Sequence, residues 1–175
     1  MVGSGKGAEH GILIKIGQAL ETAQAVDTVV FDKTGTLTQG EPQVRDILPV
    51  NGMDENALLS LAASLENGSE HPLGQAILLE ARARDLSLQE ASGFEALAGF
   101  GVKGRVAGQE ILIGNEALLK GAGVALETLA PRAQALAGAG KTPMYIAANG
   151  QPAGLIAVAD KLKGTSIEAV RKLKE

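Results

Sequence analysis

Asp32 follows the apolar run Val29-Val30-Phe31, and the residues predict a buried strand, Val26–Asp32, that ends in a carboxylate. In a parallel α/β sheet, chemistry sits beyond the carboxyl ends of the strands. Asp32 is therefore placed as a nucleophile or a metal ligand. The residues after it suit a phosphate. Lys33 brings positive charge, Gly35 lets the backbone approach closely, and Thr34 and Thr36 add hydroxyl and backbone donors. Phosphoryl transfer depends mainly on positioning and charge neutralisation, so this set suffices for one wall of such a site. Mg²⁺ would bridge carboxylate and phosphate there, with Asp32 and Thr34 as the metal-facing residues of an incomplete site. The plainer alternative is an Asp that caps the turn after a strand.

The rest of the composition narrows the function by exclusion. The 175 residues are enough for one domain or two small ones. With three Phe, one Tyr and no Trp, the core must be built from Leu, Ile, Val and Ala. A net charge of −4 gives no basic footprint for nucleic acid. The absence of Cys excludes disulfides, thiolate metal sites and a cysteine nucleophile, which fits a cytoplasmic compartment. No apolar run is long enough to span a bilayer; Gly11 to Leu20 is interrupted by Lys15, Gly17 and Gln18. The N-terminus lacks a signal-peptide pattern, and Met1 to Gly7 reads as flexible.

Around the carboxylate, residues 8–25 predict one helix or two short ones, with Ile12, Ile16, Ala19 and Leu20 on one stripe. Residues 35–40 read as a turn-rich loop and 44–50 as a strand whose Pro49 belongs at an edge. Asp54 is placed to cap a helix to Leu65, and Pro72 to start one that ends near Arg84. Residues 94–97, 102–106 and 110–113 read as strands, and Asn115 as the cap of a short helix. A helix over 126–137 follows. Strands over 144–148 and 153–158 are joined by the hairpin signal Asn149-Gly150, and a helix over 164–174 closes the chain. The order predicts two units. Residues 1–42 and 153–175 gather around Asp32, and 43–152 form an inserted unit.

The stretch Asp32-Lys33-Thr34-Gly35-Thr36-Leu37-Thr38 resembles the phosphorylation signature of P-type ATPases, whose aspartate takes the γ-phosphate of ATP. The resemblance implies an α/β fold: a partial haloacid-dehalogenase-like, Rossmann-like phosphorylation domain (1–42 and the start of its second part, 153–175). Into it is inserted a nucleotide-binding domain (43–152) built on an antiparallel sheet flanked by helices. Phosphatases of that superfamily carry a second Asp two residues after the nucleophile. Here the position is Thr34, a poor acid or base at neutral pH, so an aspartyl phosphate would persist.

Glu66 to Leu73, with Ser69-Glu70-His71-Pro72, resembles the nucleotide-binding domain of heavy-metal-transporting P-type ATPases. That implies adenine contacts from Glu66 and His71. It also implies close backbone approach to ATP at Gly99 and Gly101, and a nucleotide-contact turn at Gly114-Asn115. Hairpin glycines are the bland reading of the same residues. The fingerprint G-x-G-x-x-G at 99–104 lacks a following helix pattern, and Gly138 to Thr142 lacks the first glycine of a P-loop, since position 135 is Ala. The pairs Arg82/Arg84 and Lys161/Lys163 read as solvated faces.

Segments 5–15, 69–72 and 159–166 resemble the copper branch, with the zinc/cadmium branch as the alternative. The Thr-Gly-Asp and Gly-Asp-Gly-x-Asn-Asp motifs do not occur. The resemblance therefore implies a cytosolic loop of a membrane copper(I) exporter that binds ATP yet is catalytically incomplete. Its cofactors would be ATP and Mg²⁺. Its partners would be the transmembrane and actuator domains and a copper donor. A stand-alone haloacid-dehalogenase-type phosphatase is the competing reading.

Overall fold

The computed structural model describes residues 2–174, in two compact units that divide after Asp32, 2–32 and 33–174 of the described residues. The first unit holds helices α1 (Val2–Glu9) and α2 (Gly17–Ala23). The start expected to be flexible is thus helical from Val2, and Met1 lies outside the described residues. The expected stripe is interrupted at Gly11, whose φ of +75° ends the first helix, and Ile12 and Ile16 stay exposed. No described helix is long and apolar enough to cross a membrane.

The expected buried strand Val26–Asp32 does not form. Val30 is 91% exposed, and among the described residues no strand pairs with this segment. The physical reason is that a strand is a relation between chains. Apolar residues prepare one, but hydrogen-bonding neighbours make it.

The second unit is one six-stranded sheet with helices on both faces. In chain order it contains β1 (Thr38–Pro49), α3 (Glu55–Glu66), α4 (Pro72–Ala83), β2 (Ala91–Leu97) and β3 (Gly101–Val106). Then come β4 (Gln109–Gly114), α5 (Glu116–Gly121), α6 (Ala130–Gly138), β5 (Thr142–Ala148), β6 (Gln151–Leu162) and α7 (Ser166–Lys174). The strand order is β1-β6-β5-β4-β3-β2, and every pair is antiparallel. β1 is an edge, as Pro49 requires, but it starts at Thr38, inside the stretch expected to be loop. β6 begins at Gln151, so the expected boundary at 152/153 falls within a strand. The helix expected over 126–137 begins only at Ala130, where Pro131 sits in the first turn.

Strict alternation builds the two layers. Ile111, Ile113, Ile146, Ile156 and Val158 point to one face, against Leu58, Leu59 and Leu65 of α3 and Ile77 of α4. Leu112, Tyr145, Ala147, Leu155 and Ala157 point to the other, against Leu119 of α5 and Leu136 of α6. The period of 2 in these strands is what lets one sheet bury both faces. Local signals place the ends. Asp54 accepts from the N–H groups of Asn56 and Ala57 and starts α3. Asn149 and Gly150 both have positive φ, +49° and +74°, as a tight hairpin turn demands.

Candidate functional site

A cleft of about 790 Å³ opens where the N-terminal end of α4, the β2–β3 turn and the β4–α5 junction meet. It gathers every nucleotide-contact residue expected from the sequence: Glu66, His71, Gly99, Gly101, Gly114 and Asn115.

Glu66 is the last residue of α3 and is 2% exposed, yet its Oε2 has no hydrogen-bond partner. Burial pushes its carboxyl above the ordinary carboxylate range, an effect that the Ser69 hydroxyl only partly offsets. A buried, unpaired acceptor of this kind is costly and asks for a donor. Gly74 makes the seat. A Cβ there would lie 2.2 Å from Oε2, so a side chain at position 74 would displace the carboxylate.

His71 caps α4: its Nδ1 accepts from the Leu73 N–H at 3.2 Å, which leaves Nε2 as the protonated nitrogen. The Ser69 hydroxyl oxygen accepts from the His71 N–H at 3.2 Å, and the Ser69 carbonyl from Gln75 Nε2 at 2.6 Å. These bonds fix the turn between α3 and α4.

Across the cleft, the glycines pack backbone on backbone. A Cβ on Gly101 would lie 2.0 Å from the Ile113 carbonyl oxygen, and one on Gly114 would lie 2.2 Å from that of Phe100. Asn115 accepts from the Leu118 N–H to start α5 and donates through Nδ2 to the Gly99 carbonyl at 2.9 Å. The G-x-G-x-x-G stretch leads into β3, not a helix, and Thr142 opens β5, so neither decoy motif has its required context.

Phe94 and Phe100 also line the cleft and were missed as site residues. The signal was available, for these are two of only three Phe in the chain.

The phosphate-loop residues are distributed over the two units. Asp32 is the last residue of the first and is exposed. Lys33, Thr34, Gly35 and Thr36 open the second as a tight turn, also exposed. A clasp from the far end of the chain holds this turn. Thr38 Oγ1 donates to Asp160 Oδ2, which also accepts from the Gly40 N–H at 2.9 Å, while Oδ1 accepts from the Glu41 N–H at 3.1 Å. Lys163 Nζ donates to the Gly35 carbonyl at 2.6 Å, and Ser166 Oγ to that of Leu37 at 2.6 Å. Lys163, read as solvated, is thus engaged. Arg84 is exposed, as read, and pairs on the surface with Glu80 at 2.8 Å.

Desolvation disfavours the Asp160 carboxylate. The hydrogen bonds from Thr38 and from the N–H groups of Gly40, Glu41 and Lys161 outweigh it and hold the carboxyl below its ordinary value. Asp160→Ala is expected to free the turn and speed amide exchange at Gly40 and Glu41 more than about tenfold, while amides of β4 stay unchanged. Equal exchange in variant and wild type would refute the clasp.

Among the described residues no three His, Asp or Glu side chains come together as a metal-ligand set. Asp32 and Thr34 alone do not make a Mg²⁺ site.

The profile of the family described as "Hydrolase: haloacid dehalogenase-like hydrolase" matches residues 26–175. A copper-transporting P-type ATPase of Rhizobium leguminosarum bv. viciae is 46% identical over 99% of this chain, which spans only 21% of that relative. The crystal structure of a zinc-transporting PIB-type ATPase in its E2.Pi state superposes with a TM-score of 0.69 at 38% identity, over 93% of this chain and 26% of that one. The catalytic domain of the CPx-ATPase CopB-B, from a study of nucleotide binding, superposes with a TM-score of 0.65 at 25% identity, over 93% of this chain and 54% of that one.

Proposed function

Since the chain belongs to the haloacid dehalogenase-like hydrolase family, we propose that it is the ATP-binding part of a copper-exporting P-type ATPase. The observation that carries this reading is the buried Glu66, whose Oε2 has no hydrogen-bond partner, in the wall of a cleft that also holds two Phe rings and His71. An adenine needs those groups. Its exocyclic amine donates to Glu66, its ring stacks on Phe94 or Phe100, and His71 Nε2–H offers a donor to a ring nitrogen.

Asp32 is the phosphate acceptor. A carboxylate oxygen attacks the γ-phosphorus, the bond to the β-phosphate oxygen breaks, and ADP leaves with that electron pair. Thr34 occupies the place where a hydrolytic relative would carry its second Asp. This supports a persistent aspartyl phosphate and weighs against a stand-alone phosphatase. The residues present do not fit a complete Mg²⁺ site, so no step is routed through the metal here. Copper as cargo rests on the Rhizobium relative's name and on segments 5–15, 69–72 and 159–166. The transmembrane and actuator domains and a copper donor would be its partners.

His71→Asn tests the reading cleanly, because Asn keeps the α4 cap while removing the ring. ATP affinity is expected to fall about tenfold, measured by calorimetric titration, with stability unchanged. Undiminished affinity would remove His71 from the site. The chain alone is expected to turn over no ATP; a sizeable rate that vanishes in Asp32→Ala would contradict that.

A further inference from the structure

We propose that Asn67-Gly68, the turn that leaves α3, is a site of slow covalent self-modification, in which Asn67 becomes aspartate or isoaspartate.

The chemistry needs only the chain and water. The Gly68 backbone nitrogen gives up its proton and bonds to Asn67 Cγ. The Cγ–Nδ2 bond breaks, and Nδ2 leaves with that proton as ammonia. A cyclic imide remains. Water then opens the ring at either of its carbonyl carbons. Breaking the bond from Gly68 N to Cγ gives aspartate. Breaking the bond from Gly68 N to the main-chain carbonyl carbon gives isoaspartate, with the backbone routed through Cγ. Glycine after the asparagine favours the first step, because no Cβ shields its nitrogen.

The chain has three Asn-Gly pairs, beginning at Asn51, Asn67 and Asn149, and all three asparagines are exposed. Exposure does not separate them; hydrogen bonding and backbone conformation do. Asn51 Nδ2, the group that would leave, donates to the Pro152 carbonyl at 3.0 Å. Asn149 is held twice. Its Oδ1 accepts from the Glu110 N–H at 3.0 Å, and its own N–H donates to the Glu110 carbonyl at 2.8 Å. Both residues sit in turns with positive φ, +56° and +49°.

Asn67 has none of these restraints. It caps the end of α3 with φ −61° and ψ −20°, and its side chain makes no hydrogen bond to a described residue. The Gly68 N–H reaches the Leu65 carbonyl only at 3.5 Å, the long limit of such a bond. For the attack, Asn67 ψ must swing until the Gly68 nitrogen lies over the side-chain carbonyl carbon. A helix end opens at little cost, and this weakly held N–H is the one that the swing must release.

Conversion alters the turn in two ways. Isoaspartate adds one carbon to the backbone between α3 and α4. Either product also sets a new carboxylate at the negative end of the α3 dipole, next to buried Glu66. The bonds from the His71 N–H to the Ser69 hydroxyl and from Gln75 Nε2 to the Ser69 carbonyl depend on the spacing that is changed. The converted chain is therefore less stable than its parent.

The test is incubation of the 175-residue chain at mildly alkaline pH, folded and in urea, followed by peptide mass mapping. An isoaspartate-specific carboxyl methyltransferase, with labelled S-adenosylmethionine, counts the isoaspartate. In the folded chain Asn67 is expected to convert at least about fivefold faster than Asn51 or Asn149, a factor of the size that one net hydrogen bond supplies. In urea the three are expected to convert at similar rates. Gly68→Ala fits the structure, because its Cβ meets only the Phe94 ring, at 3.5 Å. It is expected to slow conversion of Asn67 severalfold and to leave the other two sites unchanged. Converted chain, isolated by its added negative charge, is expected to unfold at lower urea than its parent. Asn51 or Asn149 converting as fast as Asn67 in the folded chain would overturn the proposal. The same order persisting in urea would also overturn it, since local sequence would then be the cause. An unchanged rate in Gly68→Ala would overturn attack by the Gly68 nitrogen, and an equal unfolding midpoint would overturn the effect on the turn.

Discussion

Glu66→Gln is expected to stabilise the protein at neutral pH and to weaken its hold on ATP. The carboxylate is 2% exposed, and Oε2 has no partner. Leaving such a group unpaired costs about 1–3 kcal/mol. Burial raises its folded-state pKa above the reference value of 4.5. The folded protein therefore keeps the proton to higher pH than the unfolded chain does. Stability associated with the neutral form is complete below 4.5 and is lost as pH rises through the folded-state value. Glutamine carries no such loss. Urea unfolding should show variant and wild type equal near pH 4 and the variant ahead by about 1–3 kcal/mol near pH 8. ATP affinity should fall at least about tenfold, because half of the glutamine amide presents donors where adenine also presents donors. A variant no more stable at pH 8 than wild type would contradict this account of Glu66.

Gly101→Ala is the larger structural lesion. The added Cβ meets the Ile113 carbonyl oxygen at 2.0 Å and the Gly114 Cα at 2.5 Å, both backbone atoms that cannot turn aside. The φ of +148° is itself unsuited to a side chain. Strands β3 and β4 must part at Gly101–Gly114, the first pair of their ladder. The strain falls on the β2–β3 turn that walls the cleft. A loss of more than about 3 kcal/mol is expected, along with loss of ATP binding. Gly99→Ala makes the comparison, because nothing lies within 4 Å of its Cβ position. Its φ of +78° still penalises Ala, by about 1 kcal/mol. Equal losses in the two variants would show that backbone conformation, and not the close approach, governs this wall.

Much of this was legible because it is local. Asp54, Pro72 and Asn115 mark helix starts through groups one to three residues away. Asn149-Gly150 marks its hairpin, and the alternation over 111–113, 144–147 and 155–158 marks the strands. The cleft residues were reachable by resemblance, since their motifs are short and contiguous.

Other features depend on distant residues. Asp160 reaches Thr38 across 122 positions, and Lys163 reaches Gly35 across 128. No spacing rule points to either pair. The seat that Gly74 provides for Glu66 is a matter of packing that sequence periodicity does not record. The segment 26–32 shows the converse. Its residues are those of a strand, but pairing is not a property of the segment itself.

The most direct measurement follows the backbone amide resonances of the 175-residue chain during an ATP titration. The account predicts saturable shifts at Glu66, His71, Phe100, Gly101 and Asn115, around the cleft, with Phe94 ring signals moving as a base stacks. Shifts confined to Lys33 through Gly40, or none on the cleft walls at millimolar ATP, would contradict it.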